Sequence, residues 1–319
     1  MNEMNEIYEF ACTLKSEVAA VLPDCTVRIN HVRKNNGHVR TGLVIAKEGS
    51  KLAPTIYIDG MYRLYQDGVS KAQLIQKVID AYEEACTNDT TPMQNVLSSF
   101  ANAKDRLFIK LINEEKNREM LQDIPHRMVQ DLAIVYALHL KDALDFSGIV
   151  TVTNTLLQTW GIDEETLYTQ AMLNTPRVSP AILCPLREMM ESFLPTAQFL
   201  NAPPMDISEY DFDGFTLKID NGNDMPLYIV TNKAKLFGAA SLLLPQVMEK
   251  IGEFLGSFYI LPSSIHESII VPASCSMEAS ELIHMVRQVN ETNVDPEEIL
   301  SDNIYYYDKV EKSFTVITE

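Results

Sequence analysis

Between residues 236 and 289 the apolar positions pass from helical spacing to strand alternation and back, the densest succession of elements in the chain. Leu243, Leu244, Val247, Ile251, Phe254 and Leu255 recur every three or four residues and predict a helix. Pro245 suits its first turn, and Gly256 is placed to end it in a left-handed conformation. The runs 257–261 and 268–271 are short, β-branched and aromatic, and apolar on both alternating faces, as strands of a sheet covered on each side are. Residues 262–267 join them as a hairpin loop. Ser276 is the expected cap of a second helix carrying Ala279, Leu282, Ile283, Val286 and Val289, and the two helices are expected to cover one face of the hairpin.

Met4, Ile7, Tyr8, Ala11, Leu14, Val18 and Leu22 predict an amphipathic first helix that Pro23 stops. A β-hairpin follows, led by Val27 and Ile29, turning at Asn35, Asn36 and Gly37, and returning through Val39, Thr41, Leu43 and Ile45. Residues 55–58 offer a third strand, and Ser70 is the expected cap of a helix striped by Leu74, Val78, Ile79 and Tyr82. The polar stretch 88–92 closes this α-β-β-β-α module. Beyond it, Leu107, Ile109 and Leu111 alternate as a strand, Asn113 caps a charged helix, and 132–140 is apolar enough for a central strand. Thr153 and Asp163 head two successive helices. The proline-rich stretch 175–204 is expected to form an irregular covering layer around a helix at 186–194. Strands are expected at 227–230 and, as a terminal hairpin, at 304–307 and 314–317. The resulting fold class is α+β in two modules, 1–88 and 89–319, each a small, mostly antiparallel sheet covered by helices.

Charge narrows the partners. The 26 Lys and Arg face 44 Asp and Glu, a formal net charge of −18, which disfavours nucleic acid and anionic membranes. The first ten residues are acidic where a secretory signal is basic, and no apolar run approaches the ~18–20 residues that span a bilayer, so a cytoplasmic protein is expected. Five scattered cysteines, never in a CxxC pair, read as buried free thiols.

Three segments carry a family resemblance: LINEEKNREMLQDIPHRMVQDLAIVYAL from Leu111, SLLLPQVMEKIGEFLGSFYILPSSIHESIIVP from Ser241 and VDPEEILSDNIYYYD from Val294. Together with TGLVIAKEGSKLAPTIYID from Thr41, the chain resembles a clostridial family known only as a domain of unknown function. The run from Asp131 to Asn174 and the 236–289 stretch are more distantly similar to the YtpQ-like family of bacilli. The resemblance supports the domain reading and implies no catalytic residue.

Candidate chemistry is sparse. Asn113, Asn117, His126 and Asp131 flank the expected central strand and could converge at its end, with Asp131 tuning the His126 imidazole. The plainer reading is that they cap a helix and hydrogen-bond a loop. Arg28, Arg33, Lys34 and Arg40, with His31 and His38, make the first hairpin basic, able to grip an acidic partner or RNA. No aromatic pattern stands beside them in sequence, and an edge ribbon also carries cations to avoid aggregation. Ser263, Ser264, His266 and Glu267 supply triad residue types within five positions, but no nucleophile-elbow motif accompanies them and a solvent-facing turn is the favoured account of the same residues. HExxH, Walker and dinucleotide glycine motifs are absent, so neither metal nor cofactor is expected. The expected function is binding of another protein, as an interaction or chaperone-like module. An unassigned enzyme, such as a hydrolase, with a polar site around His126 and Asp131 is the second reading.

Overall fold

The structure, a computed structural model, describes residues 3–49, 53–87, 91–140, 148–193, 205–222 and 227–318. The chain divides into two compact units, Met1–Met93 and Gln94–Glu319. The polar 88–92 stretch falls near this division; its residues 88–90 lie outside the described residues, as does the Met4 side chain.

In the first unit, helix α1 (Glu3–Val21) precedes strands β1 (Cys25–Arg33), β2 (Val39–Lys47) and β3 (Thr55–Tyr57), which form an antiparallel sheet in that order, followed by α2 (Asp59–Gln66) and α3 (Lys71–Thr87). Val27 pairs with Ile45 and Ile29 with Leu43, so alternation sends all four to one face. There they meet Leu14 and Val18 of α1 and Leu74 and Val78 of α3 in one core. Ser70 begins α3 in a capping box: its Oγ accepts from the Gln73 amide at 3.4 Å while the Gln73 Oε1 accepts from the Ser70 amide at 3.2 Å.

The larger unit holds two sheets. Helices α4 (Thr91–Leu97) and α5 (Phe100–Ala103) precede β4 (Leu107–Asn113), α6 (Arg118–Leu121), β5 (His126–Val129), β6 (Leu132–His139) and β7 (Ile149–Thr151). These four strands are antiparallel, with β6 bonded to all three others. Every residue of β6 except His139 is buried, as its unbroken apolar run requires. Thr153 and Asp163 cap α7 (Asn154–Trp160) and α8 (Glu164–Val178) through their side chains.

The second sheet comprises β8 (Ala181–Pro185), β9 (Ile207–Phe212), β10 (Phe215–Asp220), β11 (Tyr228–Asn232), β12 (Phe258–Leu261), β13 (Ser268–Pro272), β14 (Ile304–Asp308) and β15 (Ser313–Ile317). Their order is β15-β14-β12-β13-β11-β8-β10-β9, and only the β8/β10 pair is parallel. The class is therefore α+β, with mostly antiparallel sheets. The described part of the 175–204 stretch, residues 175–193, is not an irregular cover. Ala181–Pro185 is an interior strand, bonded to β10 on one side and β11 on the other, and it feeds α9 (Leu186–Phe193); residues 194–204 lie outside the described residues.

Helices α10 (Pro245–Leu255) and α11 (Ala279–Thr292) take opposite faces of the β12/β13 hairpin rather than sharing one. Leu282, Ile283 and Val286 of α11 pack on Leu261, Val271 and Ile304, whereas Gly252 of α10 lies against Tyr307, whose ring stacks on Phe258. Both strand faces are apolar because both are covered. Gly256 ends α10 with φ 78° and ψ −153°, a positive φ but not the left-handed helical conformation. The cap of α11 is Glu278, in a capping box with Glu281, and not Ser276.

Candidate functional site

The basic ribbon is built by register. Arg28 pairs with Val44, Val32 with Arg40 and Gly42 with Tyr57, so Arg28, Arg40 and Tyr57 share the sheet face opposite the apolar core. Tyr57 underlies two cations: Lys34 Nζ lies 4.4 Å and the Arg40 guanidinium 6.0 Å from its ring centroid. Arg33 pairs with Val39 at the ribbon tip and alternates onto the other face. His31 stacks on Tyr8, and its Nδ1 lies 3.3 Å from the Thr41 hydroxyl. The sequence pattern beside these cations lacked aromatic residues because Tyr57 and Tyr8 come from β3 and α1, and only the fold brings them alongside.

The four polar candidates separate. Asn113 and Asn117 are buried; the Asn113 Nδ2 donates to the Leu300 carbonyl at 3.0 Å, and its Oδ1 accepts from the Lys116 amide at 2.8 Å. Asn117 donates to the Asn113 carbonyl at 2.8 Å. Asp131, in the β5/β6 turn, accepts from Ser301 Oγ at 2.6 Å, Asn303 Nδ2 at 3.0 Å and Tyr305 OH at 2.8 Å. Burial, with the Asp131 carboxylate beside it, holds the Tyr305 phenol protonated well above its ordinary range, which fixes it as the donor. Asn290 continues the network to the Ser301 carbonyl and to Asp302, which Lys116 also reaches at 3.2 Å. Asn113, Asn117 and Asp131 thus join β4 and β6 to the start of β14.

His126 does not enter this cluster. It opens β5 opposite Val135, at the far end of the strand from the Asp131 turn, and its Nδ1 lies 3.0 Å from the Ile124 carbonyl. The structure does not bring it to Asp131. The polar partners that sequence reasoning missed, Ser301, Asn303 and Tyr305, left no local signal because they lie about 170 residues from Asp131.

In the 262–267 loop, Ser264 Oγ donates to Glu267 Oε1 at 3.0 Å and accepts from the His266 amide at 3.0 Å. His266 turns its Nδ1 to the Phe237 amide, which donates to it at 3.0 Å, and its Nε2 lies 3.4 Å from Glu298. Imidazole and hydroxyl therefore serve different partners, and the three types form no relay.

Two further arrangements lay beyond the sequence pattern. Arg127 is bidentate to Glu164, which also accepts from the Tyr136 hydroxyl, tying the start of α8 to β5 and β6. Lys110, half-buried on β4, places its ammonium 3.9 Å from the Phe237 ring centroid, and desolvation lowers its pKa to about 8. All five cysteines are free, but only Cys184 is buried; burial pushes its thiol up to about 11, while Cys86 is exposed. Among the described residues no group of three His, Cys, Asp or Glu is placed to hold a metal ion, and no helix is long and apolar enough to cross a membrane.

Fold and sites together define an α+β protein of two units that presents an aromatic-braced basic ribbon. Residues 7–309 match a family of unknown function, DUF5688, and the chain belongs to that family. No curated protein and no solved structure matches it.

Proposed function

We propose that the chain is a cytoplasmic interaction protein, of clostridial kind and distantly related to the functionally unassigned YtpQ-like family, that docks an acidic surface of a partner protein on the ribbon of β1 and β2. The observation that carries this reading is the pair of cations, Lys34 and Arg40, over the single Tyr57 ring, with Arg28 on the same sheet face. A ring beneath a cation restrains a flexible side chain before binding, which lowers the ordering cost of an ion pair across an interface. The contrast with a net charge of −18 adds direction, since an acidic surface is attracted to the ribbon and repelled elsewhere. The second reading, hydrolysis around His126 and Asp131, draws less support: the two occupy opposite ends of β5, and Asp131 already accepts three hydrogen bonds.

The test compares proteins captured from the source cytosol by wild type, a Lys34→Glu/Arg40→Glu variant and an Arg33→Glu variant. The double variant is expected to lose the specific partner at least tenfold, Arg33→Glu to lose much less, and raised salt to act like the double variant through screening. Circular dichroism of each variant confirms folding. A captured set unchanged in a folded double variant removes the ribbon as the recognition surface.

A further inference from the structure

The larger unit contains a cavity of about 680 Å³ whose charge opposes that of the chain around it. Among the described residues, Arg106, Arg177 and Lys233 line it with His139, against one carboxylate, Asp105. In the unit as a whole acids outnumber cations about two to one, so the balance is inverted here. The rest of its described lining is mainly apolar, with Phe108, Ile149 and Leu236 beside the polar Ser179 and Asn232.

Each cation has a reason for its place. Arg177, in the last turn of α8, donates to the Asp105 backbone carbonyl at 2.7 Å, which fixes the guanidinium while leaving the Asp105 carboxylate out of that bond. Arg106 directs one guanidinium nitrogen to the His139 carbonyl at 3.5 Å. His139 faces Phe108, its ring 6.4 Å away. Lys233 is exposed and enters no side-chain hydrogen bond or ion pair among the described residues.

The rim that carries Lys233 and Leu236 is preorganised. The buried Asn232 side chain clamps it: Oδ1 accepts from the Leu236 amide at 3.1 Å, and Nδ2 donates at 2.7 Å both to the Leu236 carbonyl and to Ser179 Oγ. Lys235 and Phe237 hold φ of 53° and 57°, a backbone region costly for side-chain-bearing residues. Next to them Gly238 is pressed so closely that a Cβ would stand 2.4 Å from Thr231 Oγ1 and 2.7 Å from the His266 carbonyl. A loop held in this form, with Lys233 and the apolar Leu236 at its edge, is arranged before any ligand arrives.

We propose that this cavity binds a small organic anion, a phosphate monoester or carboxylate, its charged group among Arg106, Arg177 and Lys233 and its apolar body against Phe108 and Leu236. The volume suits a drug-sized molecule, and the mixture of apolar wall with a few convergent polar groups is that of small-molecule sites. This site is independent of the ribbon, and either proposal can fail without the other.

Isothermal titration of the full chain with phenyl phosphate and with benzoate tests it. At least one is expected to bind saturably at one site per chain, while benzyl alcohol, the same ring without charge, gives no saturable heat. Lys233→Glu is expected to weaken binding at least tenfold, and Leu236→Asp to do the same; an unchanged melting temperature for Lys233→Glu excludes misfolding. Absence of saturable binding by both anions overturns the proposal, as does binding that Lys233→Glu leaves unaltered. Inorganic phosphate binding as tightly as phenyl phosphate overturns the apolar half of the assignment.

Discussion

At Lys110 a charge is kept in a place that disfavours it. Its ammonium faces the Phe237 ring and makes no hydrogen bond or ion pair among the described residues, so burial lowers its pKa from 10.5 to about 8. The shift is a stability statement with a definite sign. Between pH 8 and 10.5 the unfolded chain binds more protons than the folded one, so this residue makes stability rise with pH across that window; below pH 8 its full penalty is present. A shift of this size corresponds to on the order of 3 kcal/mol, reduced by the cation–π attraction. Lys110→Met is therefore expected to stabilise the protein by about 1–3 kcal/mol at pH 7 and to flatten the rise above pH 8, read from urea midpoints at several pH values. Nothing in the sequence marked this lysine, because Phe108, Lys110 and Ile112 read as one face of a strand whose covering loop comes about 130 residues later. Asp131 was legible as a polar residue beside a central strand, but its donors were not. The four ribbon cations were legible by number; alternation along β1 separates Arg33 from Arg28, but that Arg40 shares the face of Arg28 follows only from the register of β1 and β2.

Elements with one buried face were legible and those with two were less so. The stripe of α3 and the alternation of β1 and β2 each define a side, and the core of the first unit follows from them. In β12 and β13 both faces are apolar, so the pattern announces a covered sheet without saying which helix covers which side, and α10 and α11 divide the faces between them. Strand β8 was hidden by its flanking prolines. Pro180 precedes it and Pro185 ends it opposite Tyr228, positions where a missing amide hydrogen is tolerated, yet in sequence two prolines five residues apart read as a break. The start of α11 was misplaced because serine is the commoner cap. The informative signal was the glutamate pair three residues apart, Glu278 and Glu281, which close a reciprocal box. Glu278→Ala is expected to cost about 1 kcal/mol and Ser276→Ala less than about 0.5 kcal/mol, measured as shifts of the urea midpoint at constant slope. Equal effects would mean that the helix starts earlier than the box indicates.

At the scale of the molecule, the α+β class could be read from the chain because it depends on local periods, whereas the partition of the larger unit into two sheets depends on pairings between distant segments. The Asp131 cluster is the sharpest case of such a pairing. Its carboxylate receives three donors from 301–305, and removing it leaves buried Ser301 and Tyr305 hydroxyls without their acceptor. Asp131→Ala is expected to destabilise the larger unit by about 3 kcal/mol, and Asp131→Asn by less, since one amide oxygen still accepts; urea unfolding followed by the fluorescence of Trp160 would measure both. The same separation has a meaning in time. Synthesis proceeds at roughly 5–20 residues per second, so Asp131 precedes Ser301, 170 positions later, by on the order of 10–30 s. The first unit, whose core runs from Phe10 to Tyr82, has all its contacts within reach long before then. On the ribosome the two units are therefore of different ages: one can be native while the other, with an acidic turn still awaiting its donors, has yet to close.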